Sequence, residues 1–199
     1  MIDFTKIAIN DHDLRLRLLN DKGLVFVRQS GKNATQLKNM TITVHDSGRV
    51  ELSGSLHKYW NKGQHNYNDF GRLDLWDVVR ELCDWLEIEP QMANIHNLEF
   101  GLNLIVKFDP SAFLGGLLTY KATSFCRTAI TGKGFYKQAA QTQFIIKAYD
   151  KGKQFDRPDN ILRFEMKVIK IEYLPQIQTL ADLMDSDKLT TLGALLADA

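Results

Sequence analysis

The 199-residue sequence has only two cysteines, four prolines and no long apolar run. Cys83 and Cys126 are too few for a disulfide framework and lack the close spacing of metal-binding cysteine pairs, so we interpret both as buried thiols. No segment approaches the roughly 18 consecutive apolar residues of a transmembrane helix. The opening MIDFTKIAIN is also too polar for a signal peptide. These absences predict a cytoplasmic protein that has no membrane partner.

The sequence contains neither an internal repeat nor a linker rich in proline, serine or glycine. Its hydrophobic content of 44% is enough to form a sizeable core. We therefore expect a single domain over residues 1–199. Leucines recur from residue 177 onward, which predicts one or two short terminal helices. These helices belong either to a truncated C-terminal portion or to a segment that docks on the domain or on a second subunit.

Charge is distributed unevenly along the chain, although the net charge is only +1. Residues 107–170 contain 12 basic and 5 acidic residues, a net charge of +7, whereas residues 1–106 and 171–199 carry −2 and −4. Aromatic residues alternate with the basic ones in this middle segment. Such a pattern is typical of a surface that follows a phosphate backbone and stacks bases. A solvated basic face would have the same composition.

Hydrophobic periodicity predicts both strands and helices. The predicted strands cover residues 40–46, 49–57, 94–107, 143–149 and 160–171, and the predicted helices cover 72–86 and 110–118. Strands and helices that do not alternate regularly favour an α+β fold. We expect a central antiparallel sheet of about five strands with helices packed on one face.

Side chains alternate along a strand, so each predicted strand can be divided into an apolar and a polar face. Two carboxylates and an imidazole on the polar face would suit Mg²⁺ or Mn²⁺, and a tyrosine beside them is a candidate nucleophile. A solvated face with cross-strand Lys–Glu pairs would give the same pattern. The predicted polar face contains His57, Glu99, Asn103, Lys147, Tyr149, Arg163, Glu165 and Lys167.

Three segments resemble the rolling-circle replication initiators of phages and plasmids. Residues 146–154 (IKAYDKGKQ) and 161–167 (ILRFEMK) resemble a strand ending in Tyr-Asp-Lys-Gly and the strand after it, which reads Leu-Arg-Phe-Glu. Residues 53–70, with Lys58 and Asn66, resemble the Lys-loop-Gly-x-Asn segment of filamentous-phage-type replication proteins. Residues 97–103 (NLEFGLN) resemble the strand that carries acidic metal ligands there, in related plasmid initiators and in conjugative relaxases.

The resemblance implies an HUH-endonuclease-like fold and a metal-dependent enzyme that nicks and rejoins one DNA strand. A tyrosine attacks the phosphodiester, leaving a 5′-phosphotyrosine and a free 3′-hydroxyl. The implied partners are single-stranded or hairpin origin DNA, followed by a host helicase and polymerase. The implied catalytic residues are Tyr149 and Lys151; the ligands of Mg²⁺ or Mn²⁺ are Glu99, Glu165, His57 and Asn103; and the DNA-binding residues are Lys147, Lys153, Arg163, Lys167, Lys58 and Asn66.

Two departures from the family pattern keep other functions open. No two of the five histidines lie two residues apart, so the His-x-His pair of many such nucleases is absent, and Asn103 stands where related initiators have an acid. One alternative is therefore a non-catalytic DNA-binding module derived from an initiator. Another is a structural or regulatory protein with a solvated sheet face. Tyr136 and Tyr120 are the alternative nucleophiles.

Overall fold

The computed structural model describes residues 1–130 and 132–199. Within these residues the chain forms twelve strands and six α-helices, joined by short 3-10 turns. The strands are β1 (Ile2–Asn10), β2 (Val27–Gln29), β3 (Lys32–Leu37), β4 (Met40–His45), β5 (Arg49–Ser55), β6 (Asn94–Ile105), β7 (Thr119–Tyr120), β8 (Thr123–Ser124), β9 (Cys126–Ala129), β10 (Phe135–Ala140), β11 (Phe144–Asp150) and β12 (Ile161–Val168). The helices are α1 (His12–Asn20), α2 (Leu56–Trp60), α3 (Arg72–Leu86), α4 (Pro110–Gly116), α5 (Lys151–Gln154) and α6 (Ser186–Ala197).

Ten of these strands form one antiparallel sheet in the order β2-β3-β4-β5-β1-β6-β12-β11-β10-β9, and β7 and β8 form a separate hairpin. The predicted α+β fold with an antiparallel sheet is confirmed, but the predicted number of about five strands is wrong. Central strand β1 is buried at six of its nine positions and has two register shifts in its pairing with β6, so its sequence does not alternate regularly. Edge strand β2 is exposed throughout and carries no apolar face to detect.

The two predicted buried thiols differ in the structure. Cys83 is buried in α3, as expected, whereas Cys126 is exposed. The prediction is wrong for Cys126 because this residue begins β9, an edge strand whose residues are largely exposed. The two cysteines do not form a disulfide bond with each other.

Helix α3 covers the apolar face of the sheet and has the bounds predicted from its periodicity. It begins after Gly71, whose backbone N–H donates a 2.7 Å hydrogen bond to the Asp74 side chain. It ends where Glu87 adopts the left-handed conformation, with φ of 51°. The buried face of α3, which packs in the main core, consists of Leu75, Val78, Val79, Leu82, Cys83 and Leu86.

The leucine-rich residues 177–199 pack against the same core. Ile177, Leu180 and Leu183 are buried, and the Trp76 indole of α3 donates a 3.2 Å hydrogen bond to the Leu183 carbonyl. Helix α6 adds Leu192 to this core. None of the helices in the described part of the chain is long and apolar enough to cross a membrane.

The predicted strand over residues 49–57 ends two residues early. Ser55 caps helix α2, because its side-chain oxygen accepts a 3.0 Å hydrogen bond from the backbone N–H of Lys58. His57 therefore lies on a helix, and strand alternation does not determine where its side chain points.

Candidate functional site

The three neighbouring strands β6, β12 and β11 place a set of polar side chains on the sheet face opposite α3. Lys147 pairs in register with Glu165, and Tyr149 pairs with Arg163. Glu99 pairs with Lys167 on the other side of β12. Because directly opposed residues in antiparallel strands share a face, the register brings these side chains together as the alternation predicted.

A cleft of about 480 Å³ opens on this face of the sheet. Helix α2 and the loop after it supply one wall, so the segment 53–70 reaches the same cleft as the central strands. Asn103 lies beside it on β6, where its side-chain oxygen accepts a 3.1 Å hydrogen bond from Arg163. Residues lining the cleft include Asp3, Lys58, Asn66, Glu99, Tyr136, Lys147, Tyr149 and Glu165.

Tyr149 and Arg163 both donate hydrogen bonds to one oxygen of Glu165. The Tyr149 hydroxyl lies 2.8 Å from Glu165 Oε1, and Arg163 Nε lies 2.9 Å from the same atom. Burial, and then the charge of Glu165, raise the pKa of Tyr149 well above its usual value. Burial is the largest influence and would raise the pKa of Glu165, but the charges of Arg163, Lys147 and Lys151 and a hydrogen bond with Glu99 together outweigh it and hold that pKa below its usual range. Glu165 is therefore ionised, and Tyr149 is its protonated donor.

Lys147 lies between two buried carboxylates. Its Nζ atom is 2.8 Å from Glu99 Oε1 and 3.7 Å from Glu165 Oε2. Burial, and then the nearby charge of Glu165, raise the pKa of Glu99. Burial lowers the pKa of Lys147, but the charges of Glu99 and Glu165 reverse that effect and raise it overall. The positively charged ammonium of Lys147 therefore lies between Glu99 and Glu165.

Asp3 belongs to the site, although the sequence analysis did not identify it. Asp3 Oδ2 accepts a 2.6 Å hydrogen bond from Asn66 Nδ2 and lies 3.5 Å from Arg163 Nη2, and the Ser55 hydroxyl donates to the other oxygen. A register shift in the pairing of β1 with β6, between Ile2 and Thr5, changes the direction of this side chain. The signal available in the sequence was a carboxylate between two large apolar residues, Ile2 and Phe4, because a carboxylate that becomes buried needs a polar or cationic partner.

His57 is not part of the cleft lining, although the sequence predicted it as a metal ligand. Its ring is fully buried, stacks on Phe70 with centroids 4.8 Å apart, and has Nε2 2.8 Å from Asn68 Oδ1. Burial lowers the pKa of His57 to about 4, so the imidazole is neutral. This histidine supports the loop that carries Asn66.

The residues predicted to bind Mg²⁺ or Mn²⁺ do not form an open ligand set. Glu99 and Glu165 lie together, but Lys147 and Arg163 bind their oxygens. Across residues 1–130 and 132–199, no group of three or more His, Cys, Asp or Glu side chains is arranged to hold a metal ion. As folded, this donor set fits an ammonium and a guanidinium rather than a divalent ion.

The remaining predicted lysines lie in different environments. Lys151 is fully buried at the start of α5, with Nζ 5.7 Å from the centroid of the Tyr149 ring, and no hydrogen-bond partner for Nζ occurs among the described residues. Burial, and then the charge of Arg163, lower the pKa of Lys151 to about 8. Lys153 is exposed on the same helix. Lys167 places its Nζ 5.4 Å from the centroid of the Phe4 ring.

Comparison with known proteins gives a match at the level of structure. No protein-family model and no curated protein matches this chain. Among solved structures it is similar to the rolling circle replication initiator protein from Geobacillus stearothermophilus, with a TM-score of 0.55 and 12% sequence identity over 93% of this chain and 78% of that one. The two chains share a fold. The predicted relationship to rolling-circle initiators is thereby confirmed for the architecture.

Proposed function

We propose that this protein initiates rolling-circle replication by nicking one strand of origin DNA and rejoining it, with Tyr149 as the nucleophile. The observation that carries the proposal is the Tyr149 hydroxyl held 2.8 Å from Glu165 inside a polar cleft of the initiator fold. The order of the motifs along the chain adds support, because the Tyr-Asp-Lys-Gly and Leu-Arg-Phe-Glu segments form the adjacent strands β11 and β12.

The proposed reaction is an in-line displacement at phosphorus. Tyr149 Oη forms a bond to the phosphorus atom while the bond to the 3′ oxygen breaks, and that oxygen takes up a proton from water to become a free 3′-hydroxyl. The hydroxyl proton of Tyr149 passes to Glu165, which already accepts its hydrogen bond. The phosphotyrosine keeps the energy of the broken bond, so attack by a 3′-hydroxyl can rejoin the strand.

Cationic and aromatic side chains around the cleft are suited to hold the DNA strand. Lys58 lines the cleft and would neutralise phosphate oxygens, and Tyr136 offers a ring on which a base can stack. Buried Arg163 acts through Glu165 rather than by direct contact with DNA. The proposed partner is single-stranded or hairpin origin DNA. A host polymerase would then extend the free 3′-hydroxyl, and a host helicase would separate the strands.

The requirement for Mg²⁺ or Mn²⁺ stays a prediction of the sequence. Glu99 and Glu165 are the predicted donors, but their oxygens as folded are bound by Lys147 and Arg163 and do not fit a divalent ion. Since Lys147 lies between them, the steps above are assigned only to side chains of the chain itself.

The proposal is tested by looking for a covalent adduct between the protein and DNA. Purified protein is incubated with mixed-sequence and hairpin single-stranded oligonucleotides plus Mn²⁺ or Mg²⁺, and denaturing gels are read for a band of increased mass. We expect the adduct with the wild type, its loss in Tyr149→Phe, and its retention in the control Tyr136→Phe, which changes the other tyrosine of the cleft. An adduct that persists in Tyr149→Phe would exclude Tyr149 as the nucleophile.

A second candidate function is DNA binding without cleavage. It is favoured by the burial of Tyr149, which is only 6% exposed, and by the closed ion pairs of Glu99 and Glu165. A module of this kind would bind DNA with steep salt dependence and form no adduct with any origin-containing oligonucleotide.

A further inference from the structure

The space between Glu99 and Glu165 is already filled by a cation that the chain supplies. Lys147 Nζ lies 2.8 Å from Glu99 Oε1 and 3.7 Å from Glu165 Oε2. The exposed fractions of the three side chains are 16% for Lys147, 10% for Glu99 and 3% for Glu165, so water screens these charges little. An oxygen-liganded divalent ion would use the same carboxylate oxygens and the same space.

The position of Lys147 is fixed by the sheet rather than by a mobile loop. Lys147 is in the middle of β11, directly opposite Glu165 on β12, and Glu99 is on β6 at the other side of β12. The Lys147 stem therefore rises from a hydrogen-bonded ladder on both sides. Without this ammonium, Glu99 would lose the cation that pairs with it, while Glu165 would keep Arg163, and an uncompensated buried carboxylate is costly in a protein interior.

We infer that the Lys147 ammonium takes the place of a divalent ion in this carboxylate pair, so that Lys147 and a divalent cation compete for Glu99 and Glu165. The wild-type chain holds the pair neutralised from within, and a divalent ion enters only when the Lys147 side chain leaves. Removal of the ammonium converts the pair into a divalent-cation site.

The first test is calorimetric titration of the full chain with Mn²⁺ in the absence of DNA. Lys147→Met removes the ammonium and keeps the apolar stem, and we expect it to bind Mn²⁺ at least about tenfold more tightly than the wild type. Adding Glu99→Gln to Lys147→Met should abolish that gain. The control Lys107→Met removes an exposed lysine of the same basic segment and should leave Mn²⁺ affinity at the wild-type value.

Equal Mn²⁺ affinities for the wild type and Lys147→Met would overturn the inference. A second measurement tests the competition between Lys147 and the divalent cation even if Lys147→Met does not fold. The unfolding temperature of the wild type should respond to Mn²⁺ no more than that of Glu99→Gln, since the site is filled in the wild type. A Mn²⁺-dependent rise in the wild type that Glu99→Gln removes would contradict competition. Neither assay contains DNA, so their outcome is separate from that of the nicking test.

Discussion

The Tyr149 hydroxyl donates its hydrogen bond diagonally across β11 and β12 to Oε1 of Glu165, at 2.8 Å. The same oxygen accepts from Arg163 Nε at 2.9 Å. One carboxylate oxygen therefore fixes both the phenol and the guanidinium. A phosphodiester in the cleft would meet a tyrosine whose proton already has an acceptor, while the acceptor itself is kept ionised by a buried cation.

Replacement of Glu165 by glutamine should strongly destabilise the fold. Arg163 is fully buried and loses its closest anionic partner, which leaves Asp3, at 3.5 Å, as its ion-pair partner among the described residues. Breaking one side of a buried ion pair costs about 3–5 kcal/mol, and urea unfolding would measure the loss. The control Asp156→Asn breaks the exposed pair with Lys133 and should have no measurable effect. Wild-type stability in Glu165→Gln would mean that other groups compensate the charge of Arg163.

Gly101 leaves the room that Glu165 needs. A Cβ atom at Gly101 would lie 2.1 Å from the Phe164 carbonyl oxygen and 2.9 Å from Glu165 Cγ. Gly101→Ala should therefore cost about 1–3 kcal/mol, as in other overpacked sites, and should also reduce formation of the covalent adduct. Gly115→Ala is the matched control, because nothing lies within 4 Å of its Cβ position on α4. Equal unfolding midpoints for the two variants would show that β6 and β12 move apart without penalty.

The buried amine of Lys151 should make stability depend on pH in the alkaline range. Burial lowers its pKa from 10.5 to about 8 in the folded chain. Below pH 8 both states are protonated, and folding carries the full cost of the buried charge, on the order of 3 kcal/mol. Between pH 8 and 10.5 the unfolded chain binds the proton that the folded chain has released, so this cost disappears as pH rises.

Lys151→Met removes that charge and should be more stable than the wild type at pH 7, with the difference vanishing near pH 10.5. Urea unfolding of both proteins across this range measures the difference. Lys153→Met, on the exposed side of α5, serves as the control and should follow the wild-type curve. A Lys151→Met protein that is less stable at every pH would show that the amine makes a favourable contact instead.

Exposed Lys153 should contribute to DNA affinity through phosphate contact. Lys153→Ala is expected to weaken binding of single-stranded oligonucleotides of any sequence and to reduce the salt dependence of log Kd by about one ion. Fluorescence anisotropy at several salt concentrations measures both effects. Lys22→Ala removes an exposed lysine from the acidic N-terminal segment and should change neither. If the two variants weaken binding equally, the basic segment 107–170 is not the DNA surface.

Periodicity predicted those elements that have one apolar face. Helix α3 and the hairpin of β4 and β5 alternate between core and solvent, so their positions could be read from the sequence. Strand β1 is central and buried at six of its nine positions, β2 and β9 are exposed edges, and β3 and β10 each contain a single buried residue. None of these five strands shows the alternation that the prediction depends on, which is why half of the sheet was missed.

The sequence predicted those residues of the candidate site that lie on regularly paired strands, and it missed or misplaced those that do not. Glu99, Lys147 and Glu165 follow from parity because β6, β11 and β12 pair without interruption around them. Asp3 could not be placed by parity, since a register shift in β1 redirects it. His57 was assigned to a strand, but the cap at Ser55 places it on a helix.

The pairing of β1 with β6 joins two halves of the sheet, each built mainly from neighbouring hairpins. Asp3 comes from one half, whereas Glu165 and its partner Arg163 come from the other. Ile2 pairs with Phe100, so this ladder closes a long loop and carries a large entropic cost during folding. The assembly of the cleft therefore depends on a pairing of residues that are distant in sequence, and a chain in which the halves have not yet joined has hairpins but no Asp3–Arg163 ion pair.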